Sequence, residues 1–86
     1  MAIMSYKVSY SKSVVKTILK YDKPTRERIY GALNNLPFGD VKRMQGQDNP
    51  PYFRLRIGDV RALFVKDEIR MVIFVFDIDS RGNIYK

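Results

Sequence analysis

The sequence contains no cysteine and no histidine. Without cysteine it forms neither disulfide bonds nor thiolate metal sites, and without histidine it lacks the commonest side-chain base and most zinc ligands. Nucleophilic catalysis by a Ser–His or Cys–His pair is therefore excluded. The side chains left for chemistry are carboxylates, lysine, arginine, tyrosine, serine and threonine.

Long apolar runs are also missing. No run approaches the ~20 residues that a membrane-spanning helix needs, and Met1-Ala2-Ile3-Met4 lacks the charged and apolar regions of a signal peptide. We therefore expect a cytoplasmic protein with no membrane partner. The chain has 86 residues, of which 45% are hydrophobic, which is enough for one core, and we expect a single domain over residues 1–86.

Acidic residues are few relative to basic ones, with 9 Asp and Glu against 16 Lys and Arg and a net charge of +7. The sequence pI is near 9.9. Such an excess indicates a polyanionic partner: nucleic acid, an acidic protein segment or, least favoured, anionic lipid. The alternative is a basic protein whose charge serves only its solubility.

The first half of the sequence predicts a strand followed by two helices. Residues 6–10 alternate and are rich in β-forming side chains. Ser11 or Ser13 is suited to cap a first helix, and Pro24 to open a second one in its first turn. Pro37-Phe38-Gly39 ends that helix. The two apolar stripes, which we expect to face one sheet from an antiparallel hairpin, are Val14, Val15, Ile18 and Leu19, then Ile29, Ala32, Leu33 and Leu36.

The second half predicts three strands in quick succession. Residues 40–51 are rich in turn formers and predict an irregular connection. Strand-like segments follow at residues 52–57, 60–66 and 69–77, with short breaks at Gly58-Asp59 and near residues 67–68. The order is β-α-α-β-β-β. This predicts an α+β domain: an N-terminal strand, a two-helix antiparallel hairpin and a mainly antiparallel three-strand meander.

Strand periodicity sorts the side chains of the first two of these strands onto two faces. With Gly58-Asp59 as a two-residue loop, Arg56 lies opposite Arg61, and Arg54 points to the same side. The other face, which we expect to lie under the helices, contains Phe53, Leu55, Ile57, Val60, Ala62 and Phe64.

Arg56 opposite Arg61 is a like-charge pair, which costs a sheet ~0.2–1 kcal/mol. An anion held between two guanidinium groups turns this repulsion into bidentate binding, so the pair predicts a phosphate site. The alternative is a solvated arginine face balanced by Asp59, Asp77 or Asp79. The spacing of Asp77 and Asp79 also suits a metal ion, but their basic surroundings favour charge balance.

The last six residues form a polar tail next to a core strand and include Arg81 and Tyr85. We expect the fold to hold this tail. Taken alone, Tyr85 predicts a packing anchor with a hydrated hydroxyl. Clustered cations, however, lower the pKa of a tyrosine from its reference value of ~10, so Tyr85 is also a candidate general base near neutral pH.

Three segments together resemble the RelE branch of the RelE/ParE toxin superfamily. They are residues 41–46 (Val-Lys-Arg-Met-Gln-Gly), residues 52–61 (Tyr-Phe-Arg-Leu-Arg-Ile-Gly-Asp-Val-Arg) and residues 81–86 (Arg-Gly-Asn-Ile-Tyr-Lys). Each segment alone is a weak signal, whereas the combination is fairly specific and the likeness covers essentially the whole chain. The resemblance implies the RelE-like microbial RNase fold.

The resemblance also implies a function. RelE proteins are toxins of type II toxin–antitoxin systems that enter the ribosomal A site and cut the mRNA codon exposed there. The ribose 2′-hydroxyl attacks the adjacent phosphate, and no metal or other cofactor takes part. The implied partners are mRNA on the 70S ribosome and a cognate antitoxin that neutralises the basic face in a toxin–antitoxin hetero-oligomer.

The resemblance further implies site roles, position by position. Tyr85 matches the tyrosine proposed as general base, and Arg61 matches the arginine that stabilises the pentavalent phosphate. Arg81 matches a basic residue that we assign to electrostatic stabilisation, because an arginine does not readily release its proton. The residues matched to RNA or phosphate binding are Arg54, Arg56, Lys42 and Arg43. Two alternatives remain open: a ParE-like toxin that binds DNA gyrase, and a degenerate toxin without catalytic activity.

Overall fold

The computed structural model describes residues 6–80, apart from the side chains of residues 47 and 48. It confirms the predicted α+β class, with two successive helices between an N-terminal strand and an antiparallel meander. The elements are β1 (Lys7–Tyr10), α1 (Lys12–Ile18), α2 (Lys23–Asn34), β2 (Val41–Asp48), β3 (Pro51–Ile57), β4 (Val60–Asp67) and β5 (Val72–Ser80).

The five strands form one sheet in the order β1-β5-β4-β3-β2. Strands β2 to β5 pair antiparallel with their sequence neighbours, whereas β1 pairs parallel with β5, with Lys7 beside Val72. A parallel pair needs a crossover connection, and here that connection includes both helices. Helix α1 packs against β5 and α2 against β3.

Helix α1 begins at the predicted cap. The Ser11 hydroxyl accepts a hydrogen bond from the backbone N–H of Val14 at 3.2 Å, which satisfies one of the first-turn donors. Val14 and Ile18 are fully buried. The prediction that Leu19 belongs to the same apolar stripe is wrong: the helix ends at Ile18, and Leu19 at its C-cap is 60% exposed.

Helix α2 has Pro24 in its first turn, as predicted. At its N-cap, the Asp22 carboxylate accepts a hydrogen bond from the Thr25 hydroxyl at 2.7 Å, and this bond lowers the pKa of Asp22. Ile29 and Leu33 are fully buried against the sheet. The missing backbone N–H of proline costs nothing in a first turn, because that turn has no intrahelical acceptors for its N–H groups.

The predicted antiparallel arrangement of the helices is supported by Tyr10, the residue just before the cap of α1. Its hydroxyl donates a hydrogen bond to Oδ1 of Asn34, the last residue of α2, at 2.8 Å. Its ring also packs edge-on against Tyr30 at 5.6 Å. The end of α2 therefore lies beside the start of α1.

The core lies between the helices and one face of the sheet. The apolar face predicted for β3 and β4 is confirmed, because five of its six residues are buried and Phe53 packs partly exposed against them. Within residues 6–80 the buried set contains only hydrophobic side chains, and no helix there is long and apolar enough to cross a membrane. The buried residues are Val14, Ile18, Ile29, Leu33, Leu36, Leu55, Ile57, Val60, Ala62, Phe64, Ile73, Val75 and Ile78.

The prediction of an irregular connection at residues 40–51 is wrong, because Val41–Asp48 forms the edge strand β2. Val41 pairs with Leu55 and Arg43 with Phe53, and the register shifts between Arg43 and Asp48. Gly46 adopts a positive φ of 87°, which glycine tolerates without strain. Backbone pairing with β3 thus outweighs the turn-forming composition that suggested a loop.

The predicted bounds of the last strand, residues 69–77, are also wrong. Strand β5 is Val72–Ser80, and β4 extends to Asp67. The Asp67 carboxylate accepts hydrogen bonds from the N–H groups of Ile69 and Arg70, both at 3.0 Å, and so closes a turn. Ile69, expected in the core strand, is 95% exposed because it lies in this turn.

Candidate nucleic-acid interface

Basic side chains gather on the face of the sheet opposite the helices. Lys42 pairs with Arg54, which pairs with Leu63. Directly opposed residues point to the same side of a sheet, so these side chains form a row across it. A second row contains Arg56 and Arg61. We call Lys42, Arg54, Arg56 and Arg61 the basic face.

The predicted opposition of Arg56 and Arg61 is confirmed by the register of β3 and β4. The hairpin turn that produces it begins with Gly58, whose φ is +58°. A two-residue II′ turn requires such a value at its first position, and glycine adopts it most readily. The turn chemistry therefore fixes the register that sets two guanidinium groups side by side.

One carboxylate balances part of this charge. Asp79 lies directly opposite Arg61 in the β4–β5 register, and its Oδ2 atom is 3.6 Å from the Arg61 guanidinium. The side chains are 39% and 43% exposed, so solvent screens the pair and its contribution to stability is small. Asp79 therefore balances the charge of Arg61, which is one of the alternatives that the sequence left open. The Asp77 carboxylate instead accepts a hydrogen bond from the backbone N–H of Ile78.

Two buried polar atoms on this face have no hydrogen-bond partner among residues 6–80. They are Nε of Arg54, a donor, and Oδ1 of Asp79, an acceptor. Buried groups of this kind are normally satisfied, and leaving one unpaired costs about 1–3 kcal/mol. A phosphate oxygen on Arg54, or a donor group on Asp79, would remove that cost.

A small concavity of about 30 Å³ lies beside the β3–β4 turn and is lined by three of the four residues of the basic face. It has room for a water molecule or for one oxygen of a phosphate group. Its lining residues are Arg54, Arg56, Gly58, Asp59, Val60 and Arg61. Three guanidinium groups around such a space suit an anion, because arginine binds phosphate oxygens through paired N–H donors.

The remaining candidate residues are less closely grouped. Arg43 pairs with Phe53, so the register directs it to the helix side of the sheet, away from Lys42. Arg81 and Tyr85 lie outside the described residues, and their roles stay predictions. Strand β5 ends at Ser80, which pairs with Val60 beside Arg61. Within residues 6–80 no cluster of three metal-ligating side chains occurs.

Sequence reasoning missed an aromatic pair on the same face. Tyr52 lies two residues before Arg54 on β3, and its ring centroid is 4.8 Å from that of Phe76 on β5. The alternation of β3 was sufficient to place Tyr52 on the same face as Arg54. The face of Phe76 could not be predicted, because Phe76 lies where the β4–β5 register shifts between Leu63 and Phe64, and periodicity does not reveal such an irregularity.

No protein-family model matches the chain, and no curated protein matches its sequence. Several solved structures do. A chain in the crystal structure of the archaeal RelE–RelB complex from Pyrococcus horikoshii OT3 is 27% identical, with a TM-score of 0.74 over 92% of this chain and 98% of that one. The toxin–antitoxin complex RelBE2 from Mycobacterium tuberculosis gives 18% identity and a TM-score of 0.73, over 90% of this chain and 99% of that one.

A mutant of the Escherichia coli toxin RelE in the free state is also similar. It gives 18% identity and a TM-score of 0.62, over 95% of this chain and 92% of that one. At 18% identity the Mycobacterium tuberculosis and Escherichia coli structures show a common fold. The archaeal structure adds a sequence likeness along nearly the whole of both chains.

Proposed function

Because the chain belongs to the RelE branch of the RelE/ParE toxin superfamily, we propose that it is the toxin of a type II toxin–antitoxin pair. Its activity in this proposal is that of a metal-independent endoribonuclease, which cuts mRNA in the A site of the 70S ribosome in the cytoplasm. The observation that supports this best is the opposed Arg56–Arg61 pair beside Arg54 on a sheet face opposite the helices.

The proposed reaction is an internal transesterification. The ribose 2′-oxygen attacks the adjacent phosphorus, and the bond from phosphorus to the 5′-oxygen of the next nucleotide breaks. The products are a 2′,3′-cyclic phosphate and a free 5′-hydroxyl. Tyr85 accepts the proton of the 2′-hydroxyl, and the departing 5′-oxygen takes up a proton from an acid or from water. Proton transfer of this kind typically contributes about 10²–10⁴-fold to a rate.

The basic face acts on the phosphate. Arg56 and Arg61 repel each other across the two strands, and an anion between them removes that repulsion. Negative charge builds up on the phosphorus oxygens in the pentavalent state, so Arg61 and Arg81 stabilise that state more than the ground state. Arg54 and Lys42 hold the RNA backbone beside the scissile group.

We also propose a neutralising antitoxin. The Pyrococcus horikoshii structure is a RelE–RelB complex, and the Mycobacterium tuberculosis structure is a toxin–antitoxin complex. With a net charge of +7, the chain attracts a partner that carries an acidic segment. Bound across the basic face, such a segment excludes RNA and produces a toxin–antitoxin hetero-oligomer.

Expression of the wild type beside Tyr85→Phe tests the proposal. The readout is a map of 5′ ends on translated mRNA. We expect codon-phased cuts in the wild type and their loss in the variant, because phenylalanine cannot accept a proton. Tyr21→Phe, which alters a tyrosine packed against the core, should cut like the wild type.

Full cleavage by Tyr85→Phe would remove the proposed base. DNA damage without mRNA cleavage, unaffected by changes at Arg54 and Arg56, would instead indicate a gyrase-binding toxin. If neither the wild type nor Tyr85→Phe arrests growth, while the protein still binds its antitoxin, the chain is a toxin that has lost its activity.

A further inference from the structure

The strand β3 holds two aromatic side chains that point to opposite faces of the sheet. Phe53 stacks on the fully buried Phe64 on the helix side, with ring centroids 5.5 Å apart and planes inclined by 18°. Tyr52 meets Phe76 on the side of the basic face, at 4.8 Å and 55°. Core packing accounts for the first pair, because that pair lies against the core cluster.

The second pair has a different geometry and setting. Tyr52 and Phe76 are both partly exposed, and both helices pack on the opposite face of the sheet. Their inclined rings do not cover each other's faces as a stacked pair would. Both residues therefore contribute accessible surface to the face that also presents the basic side chains.

The position of the pair indicates what it binds. Tyr52 lies two residues from Arg54 along one strand, which sets their Cα atoms about 6.5–7 Å apart. A nucleotide has an anionic phosphate, which suits Arg54, and a flat base at a similar separation, which suits the ring of Tyr52. Single-stranded nucleic acid is commonly bound by aromatic rings alongside a positively charged groove. An apolar peptide would use the rings but would leave the neighbouring cations unpaired.

We propose that Tyr52 and Phe76 form a stacking platform for one nucleobase of single-stranded RNA, whose phosphate is bound by Arg54 and Lys42. The choice of RNA rests on the proposed function. Stacking tolerates every base, because each base has a π-face. The platform therefore adds affinity and fixes the position of the strand, without reading its sequence.

Tyr52→Leu and Phe53→Leu form a matched pair of variants for the test. Each removes one ring of an aromatic pair from the same strand, on opposite faces. The probe is a short 2′-O-methyl RNA oligonucleotide, which cannot be cleaved, and the readout is fluorescence anisotropy. We expect Tyr52→Leu and Phe76→Leu to bind roughly 5- to 100-fold more weakly, judging from the effects of removing base-stacking side chains. Phe53→Leu should bind like the wild type.

A set of the same oligonucleotides with a single abasic position adds the decisive comparison. One abasic position should weaken binding by the wild type by a similar factor and should have little further effect on Tyr52→Leu. If Tyr52→Leu instead lowers the affinity for the intact probe and for the abasic probe by the same factor relative to the wild type, the ring does not contact the base. It would then only support Arg54, and the proposal would be wrong.

Arg54→Ala separates the failure of this inference from the failure of the proposed function. If Arg54→Ala weakens binding while Tyr52→Leu and Phe76→Leu do not, the basic face stands and the platform is refuted. If none of the three weakens binding, the basic face itself is not an RNA site. Denaturation curves of each variant verify that the protein under test is folded.

Discussion

Asp79 is the carboxylate that faces Arg61, and it competes with any phosphate for that guanidinium. We predict that Asp79→Asn binds a non-cleavable RNA oligonucleotide more tightly than the wild type, because the basic face then presents one more uncompensated charge. The salt dependence of binding should steepen by about 0.7 in the slope of log affinity against log salt. Unfolding free energy should fall by no more than about 1 kcal/mol, since the pair is exposed.

Asp77→Asn is the matched control for this change. Asp77 lies two residues away, is exposed and accepts a hydrogen bond from the N–H of Ile78 at 2.9 Å. It should alter RNA affinity less than Asp79→Asn does. Weaker binding by Asp79→Asn would contradict the competition and would show that Asp79 holds Arg61 in position.

Tyr10 supports a second prediction on single residues. Burial, followed by the nearby Tyr30, raises the pKa of Tyr10. Because the folded-state pKa lies above the unfolded one, the associated stability is fully present below the unfolded value of ~10 and is lost as pH rises through the folded value. Tyr10→Phe should lower the unfolding free energy at neutral pH by about 0.5–1.5 kcal/mol through loss of the bond to Asn34.

The measurement is urea unfolding of the wild type and Tyr10→Phe between neutral and alkaline pH. The stability difference between the two proteins should shrink above pH ~10, where the wild type loses its contribution from Tyr10. A difference that stays constant across this range would contradict the linkage.

Among the elements, the β3–β4 hairpin was predicted from sequence almost completely. Alternation and a Gly-Asp loop determine its register and its two faces, so the opposition of Arg56 and Arg61 follows from the sequence alone. Strand β2 could not, because its turn-forming residues pair only through contact with β3. Ile69 is the opposite case: its apolar side chain continues the pattern that predicts a strand, although the residue lies exposed in a turn.

The turn before β5 offers a prediction at the same scale. Met71 has a φ of +57°, a left-handed conformation that costs a side chain with a Cβ roughly 1–2 kcal/mol, while its carbonyl accepts the N–H of Lys7 at 2.8 Å. Asparagine adopts this conformation more readily, so Met71→Asn should raise the unfolding free energy by about 0.5–1 kcal/mol. The control is Ile69→Asn in the same turn, which should change the unfolding free energy by less than about 0.5 kcal/mol.

Denaturant unfolding of both variants gives the comparison. If Met71→Asn is destabilised, the side-chain packing of Met71 outweighs the backbone strain.

For the whole molecule, the excess of positive charge predicts strongly salt-dependent RNA binding. Three phosphate contacts, from the residues of the basic face that Asp79 does not neutralise, correspond to a slope of about −2 in log affinity against log salt for a single strand. Arg54→Ala should reduce that slope by about 0.7, whereas Arg28→Ala, exposed on α2, should leave it nearly unchanged. A slope near zero would exclude phosphate contacts as the source of affinity. Net charge was visible in the sequence, but its concentration on one sheet face needed the register of three strands.

The parallel pairing of β1 with β5 also bears on how the protein is made. The β3–β4 hairpin joins residues close in the chain and can form as soon as they leave the ribosome, with Arg56 and Arg61 opposed. Among the strands of residues 6–80, β1 is synthesised first and its partner β5 last. Contacts between distant segments form slowly, since the intervening loop must close first. Until β5 is synthesised and pairs, the core of the nascent chain is therefore incomplete. The repulsion between Arg56 and Arg61 also remains uncompensated until β5 places Asp79 beside Arg61.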